Sequence, residues 1–100
     1  MRYDTARWHR KRKHILALDG YKDRVAAWYG KAVEATIVHH IYPADEYPQW
    51  RYCDWNLISV SFATHNKLEN RQTGELTALG MWLQSIIKPG EDWRKKNGKI

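Results

Sequence analysis

Two stretches of this chain read as strands, and what separates and follows them sets the fold. Residues 34–41, preceded by Val33 and carrying Ile37, Val38 and Ile41, suit one strand. Leu57 to Val60 suits a second, shorter one. Residues 42–55 between them hold Pro43, Pro48, Asp45, Glu46 and Asp54, which reads as a loop. From about Ser61 the pattern turns helical through Arg71, and Thr73-Gly74 breaks it. The order is therefore strand, loop, strand, helix.

Helical patterns flank this unit. Residues 4–18 read as a helix with Asp4 or Thr5 as N-cap and a narrow apolar stripe of Trp8, Ile15 and Leu18. Asp19-Gly20 ends it as a turn. Residues 22–33 are ambiguous, with Val25 to Tyr29 fitting a short helical turn before Gly30. Residues 75–87 give the clearest helix, with Leu76, Leu79, Leu83, Ile86 and Ile87 on one face, as core or as a dimer seam. Pro89-Gly90 stops it. The fold class is α+β, in one domain over residues 1–100, because 100 residues suffice for one small core and not for two.

Charge narrows the partners. Lys and Arg number 17 against 11 Asp and Glu, a formal charge of +6. Six of the basic residues fall in the first 13, opposed only by Asp4. Such a balance points to a polyanion, with nucleic acid first and anionic membrane second. Arg7, Arg10, Lys11, Arg12 and Lys13, interleaved with Tyr3, Trp8 and His9, read as phosphate contacts. Arg94, Lys95, Lys96 and Lys99 close the chain as further phosphate contacts or as a solvated tail. A single cysteine, Cys53, excludes a disulfide framework and a CxxC metal knuckle, and fits a reducing compartment. The apolar runs are too short for a membrane span. Met1 to Thr5 lacks the apolar core of a secretory signal.

The chemistry concentrates in four residues. His39-His40 ends the first strand, Asn56 opens the second, and His65 lies on the first turn of the following helix. Adjacent strand residues point to opposite faces. One histidine of the doublet can thus face a metal while its neighbour faces a substrate, and His65 can reach back to the same metal. Phosphodiester hydrolysis needs that division, a Lewis acid on the phosphate and a base on the water. His9 and His14 belong with the basic helix. Asp45, Glu46 and Asp54 lack ligand spacing and read as solvated loop charge. Cys53 has no neighbour that would activate a thiolate.

The runs Val38-His39-His40-Ile41-Tyr42-Pro43, Trp55-Asn56-Leu57-Ile58 and Thr64-His65-Asn66-Lys67 resemble the signature of the HNH endonucleases. Arg12 to Lys22 also looks like the lead-in helix of phage-type members, so the resemblance covers roughly residues 7–71. It implies a ββα-metal hairpin-and-helix core, here with an N-terminal basic helix, a C-terminal amphipathic helix over 75–87 and a basic tail over 91–100. It implies His39 and His65 as metal ligands, His40 as general base, and Asn56 as the residue that ties down the loop and helps orient the base. Glu69, four residues beyond His65, is an additional candidate ligand, with a solvated carboxylate as its alternative.

The cofactor implied is a divalent metal (Mg, Mn, Ni or Zn), and the substrate is double-stranded DNA. The resemblance further implies a phage or prophage origin, the host cytoplasm as location and a phage packaging protein as partner. A catalytically inactive ββα nucleic-acid-binding module is the alternative. Many phage-type members bind a structural zinc through two CxxC pairs, which would fall near Asp23 and Ala26 and at Ser61 and Thr64. No cysteine stands there. Packing among Trp28, Tyr29 and Phe62 is the expected substitute.

Overall fold

Thr5 starts the first helix. Its hydroxyl accepts from the Trp8 N–H at 3.1 Å, and α1 runs Ala6–Leu18. The computed structural model describes residues 5–95, so Asp4, the other candidate cap, lies outside the described residues, as do Lys96 and Lys99. Asp23 caps the short α2, Arg24–Trp28, by accepting from Ala26 N. Strand β1 is Ile37–His40 and β2 is Leu57–Val60, paired antiparallel with His39 opposite Ile58 and His40 opposite Leu57. Ser61 caps α3, Phe62–Leu68, and Thr77 caps α4, Ala78–Ile86.

Strand alternation divides the core in two. Val38 and Leu57 point to α1 and pack with Trp8, Ile15, Leu16 and Ala35. Ile41, Ile58 and Val60 point the other way, to Val25, Leu68, Leu83, Ile87 and Trp93. The two-stranded sheet is therefore the middle layer, with α1 on one face and α3 and α4 on the other. Leu16 takes the buried place expected for Leu18, which is 48 % exposed where α1 ends. The face of α4 is core, with Leu83 and Ile87 buried and Leu79 and Ile86 packed on the same cluster.

Both helices after β2 are shorter than the sequence pattern. Glu69 is already extended and bridges Leu76, so a bend replaces the last turn of α3 and the first of α4. Thr77 then restarts the helix, its hydroxyl accepting from Gly80 N at 3.2 Å. Gly80 allows the close crossing, since a Cβ there would run into the Leu68 carbonyl.

The outer edge of β2 is covered by side chains instead of a third strand. Ser59 N donates to Asp19 at 3.1 Å, Ser61 N donates to Asp23 at 2.8 Å, and the Leu57 carbonyl accepts from Arg94 at 2.5 Å. Asp19, with a fully buried carboxylate, also pairs with Arg24 at 3.0 Å and with Arg94 at 2.7 Å. This corrects the reading of Arg94 as a phosphate contact or solvated tail charge. Trp93 is buried, its indole N–H donating to the Trp55 carbonyl at 2.8 Å, and Arg94 is a structural cation.

The four positions where zinc cysteines would fall are joined by hydrogen bonds. The Asp23 carboxylate accepts from Ala26 N and Ser61 N, both at 2.8 Å. The Ser61 hydroxyl accepts from Thr64 N at 3.1 Å and donates to the Thr64 hydroxyl at 3.1 Å. The expected aromatic substitute does not form as a set. Trp28 packs edge-on to Trp82 of α4 at 5.8 Å, Tyr29 also turns to Trp82, and Phe62 is 56 % exposed.

Asp23→Ala strips the acceptor from two amides, each worth ~1–3 kcal/mol if left unsatisfied and buried. At about 4–8 °C per kcal/mol for a domain of this size, the melting temperature in EDTA should drop by roughly 8 °C or more. Phe62→Ala should move it by no more than about 3 °C. A thermal melt in which the two variants change alike would contradict the clasp.

Candidate active site

His39 and His40 leave β1 toward opposite layers, and each meets a different helix. His39 is 2 % exposed and meets His65 of α3 edge-to-face, ring centroids 5.4 Å apart. His65 Nε2 is 3.1 Å from a Glu69 carboxylate oxygen, and His39 Nδ1 is 3.9 Å from the other. One donor atom from each of His39, His65 and Glu69 lies within 4.8 Å of the others. Glu69 reaches this position from the first extended residue after α3, its N–H still bonded to the His65 carbonyl at 3.2 Å.

The donor set fits a divalent cation. His39 Nε2 is buried and has no hydrogen-bond partner among the described residues. An orphaned polar atom costs ~1–3 kcal/mol, which a ligand of the imidazole would offset. Burial, then the neighbouring His65 and His40 charges, lower the His39 pKa to about 3. His39 is thus a neutral imidazole near pH 7, the form that coordinates metals. Ligand atoms ~2.1 Å from one ion lie roughly 3–4 Å from one another, so the observed spread closes with small side-chain shifts.

His40 turns to α1. Its ring stacks on Trp8 with centroids 5.0 Å apart and planes 19° apart. Its Nε2 lies 3.1 Å from the Arg51 carbonyl. A carbonyl only accepts, so Nε2 carries the proton and Nδ1 holds the lone pair. Burial pushes the His40 pKa down, against the opposing pull of the Arg51 carbonyl and Asp45.

Asn56 is fully buried and clamps the loop. Its carbonyl oxygen accepts from Tyr42 N at 2.7 Å, and its amide donates to the Tyr42 and Trp50 carbonyls at 3.0 and 3.1 Å. Trp50 directly precedes Arg51, whose carbonyl holds His40. Asn56 therefore reaches His40 through the loop backbone.

All four groups His39, His40, His65 and Glu69 line one cleft of about 420 Å³ between α1 and α3, with Trp8 and Arg12 on the α1 wall. The doublet thus faces two layers yet serves a single opening along the β1 edge. The basic residues of α1 divide. Arg12 donates to the Thr36 carbonyl at 2.6 Å and lines the cleft. Arg7, Arg10, Lys11 and His14 line a separate shallow groove with Tyr52, Arg7 stacking on that ring at 3.8 Å and Lys11 pairing with Asp54. Lys13 is exposed. The five basic residues read as phosphate contacts therefore spread around α1, because consecutive helical residues are about 100° apart.

No family model and no curated protein matches the chain. Among solved structures, the HNH endonuclease of deep-sea thermophilic bacteriophage GVE2, crystallised with manganese ion, matches with a TM-score of 0.62 and 34 % identity, over 64 % of this chain and 70 % of that one. The chain belongs to the HNH endonuclease family. Its ββα-metal core is the β1–β2 hairpin with α3. Sequence reasoning on this HNH chain missed Trp8 and the Arg51 carbonyl. The aromatic at the third helical position, one turn before Arg12, was the available sign of the first. A backbone carbonyl leaves no sign in sequence.

In the metal-free protein, stability should fall as pH drops from about 6.5 toward about 3. The unfolded chain takes a proton on His39 near pH 6.5, whereas the folded chain refuses it until about pH 3. The unfolded state therefore holds more protons in that window, and the contribution is fully present above it. Urea midpoints in EDTA at pH 7.5 and 5.5 should show a loss that His39→Asn reduces. An equal loss in both proteins would contradict a buried neutral His39.

Proposed function

We propose that this HNH protein is a divalent-metal-dependent endonuclease that hydrolyses phosphodiester bonds of double-stranded DNA. The observation that carries the reading is the convergence of His39, His65 and Glu69 in one cleft with a carbonyl-anchored His40. His39, His65 and Glu69 would hold the ion, which supplies a Lewis acid to the scissile phosphate and the leaving oxygen. His40 Nδ1 takes a proton from water, and the water oxygen bonds to phosphorus. The bond from phosphorus to the 3′ oxygen breaks, and that oxygen gains a proton from solvent. Asn56 holds the loop so that the Arg51 carbonyl keeps His40 in this tautomer. Arg12, Arg7, Arg10, Lys11 and Lys13 meet DNA phosphates.

Two imidazoles with one carboxylate favour a borderline ion over Mg²⁺, which prefers oxygen. Manganese in the GVE2 neighbour supports the same choice here. That phage origin supports a phage or prophage setting and the host cytoplasm, while a packaging protein as partner rests on the sequence resemblance alone. A catalytically inactive module would have no need of a neutral base and three converging donors.

Nicking of supercoiled plasmid decides between the two. Mn²⁺ should support it at lower concentration than Mg²⁺, and EDTA should abolish it. His40→Ala should lower the rate by ~10²-fold or more and leave Mn²⁺ affinity intact. His39→Ala, His65→Ala and Glu69→Gln should each weaken Mn²⁺ binding in calorimetry. No metal-dependent nicking by the intact chain would refute the reading, and unchanged Mn²⁺ affinity in all three variants would refute the ligand set.

A further inference from the structure

We propose that Trp8, in the first turn of α1, is a positioning residue of the nuclease that holds the His40 ring in its working plane. The inference rests on the nuclease reading above. The Arg51 carbonyl fixes one edge of the imidazole at 3.1 Å. A hydrogen bond at an edge holds that edge and does not by itself set the plane of the ring. The indole supplies a contact on the face of the ring, because it lies nearly parallel to the imidazole, planes 19° apart and centroids 5.0 Å apart. His40 is thus gripped on an edge by the loop and on a face by α1.

Trp8 is itself held from several sides. Its backbone N–H donates to the Thr5 hydroxyl as part of the helix cap, and its side chain, 4 % exposed, packs in the cluster of Ile15, Leu16, Val38 and Leu57. It also lines the cleft beside His40. A residue needed for core volume alone could be any large apolar side chain. A flat ring parallel to the base has a further use, since a small misplacement of a reacting group can cost up to ~10²-fold in rate. The N-terminal helix, read from sequence as a DNA-binding element, thereby becomes part of the catalytic apparatus.

The test compares Trp8→Leu, which fills the space without a flat face, with Trp8→Phe, which keeps one. Plasmid nicking with Mn²⁺ is measured on the full chain, with kcat and KM separated and melting temperature and Mn²⁺ affinity recorded. Trp8→Leu should lower kcat by roughly 10- to 100-fold with KM and Mn²⁺ affinity unchanged. Trp8→Phe should restore kcat to within about threefold of the parent. In the His40→Ala background, Trp8→Leu should have no further effect on kcat, since there is no ring left to position.

A folded Trp8→Leu protein with parental kcat would overturn the proposal, as would equal losses in Leu and Phe or additive losses with His40→Ala. If Trp8→Leu fails to fold, the Phe and Met variants carry the comparison, and a Met variant that matches Phe in kcat overturns it. Failure of the nuclease reading is distinguishable, because there the parent itself would not nick or His40→Ala would nick at the parental rate.

Discussion

Everything else in this fold depends on how the outer edge of β2 is closed. A two-stranded sheet is marginal in water, and its free amides would invite another strand. Here Asp19 and Asp23 take the outward N–H groups of Ser59 and Ser61, and Arg94 takes the Leu57 carbonyl. The aspartates sit at the end of α1 and the start of α2, so the same bonds fasten both helices to the strand. Buried carboxylates are tolerable only when paired and hydrogen-bonded. Asp19 meets that condition through Arg24 and Arg94, and Asp23 through two backbone amides. The clasp occupies the positions where the sequence resemblance would place four zinc-binding cysteines.

With that edge closed, the other edge is left to present chemistry. Alternation along β1 sends His39 to the α3 layer and His40 to the α1 layer, and the cleft opens where the two layers meet the strand. His39 gains a charged neighbour in Glu69 and an orphaned nitrogen. His40 gains a carbonyl and an indole. Two chemically identical side chains, adjacent in sequence, thus acquire different surroundings from strand geometry alone.

The sequence made the hairpin-and-helix order readable because period-two and period-3.6 patterns are local. His39, His40, Asn56 and His65 could be named because their spacing and order are local too. Glu69 could be named as a candidate, but helical spacing did not foretell that α3 stops at Leu68 and that Glu69 approaches from extended backbone. The helix ends were overextended because Thr77 and the Glu69–Leu76 bridge act through a fold-back that periodicity does not register. Asp19 read as a plain turn residue and Arg94 as tail charge, since their partnership spans 75 positions of chain. Leu18 read as buried on helical spacing but faces outward where α1 ends, and Phe62 read as packing bulk but faces outward because a polar clasp joins its neighbours.

The central claim is that one divalent ion binds among His39, His65 and Glu69 while the Asp23–Ser61 region needs none. Anomalous diffraction from crystals grown with Mn²⁺ and Zn²⁺, recorded at each metal's absorption edge, tests it most directly. The account predicts a single peak per chain, bonded to one nitrogen of each histidine and a Glu69 oxygen, and no density of either metal beside Asp23, Ala26, Ser61 or Thr64. A metal at that second position, or an empty His39–His65–Glu69 group at saturating Mn²⁺, would contradict it.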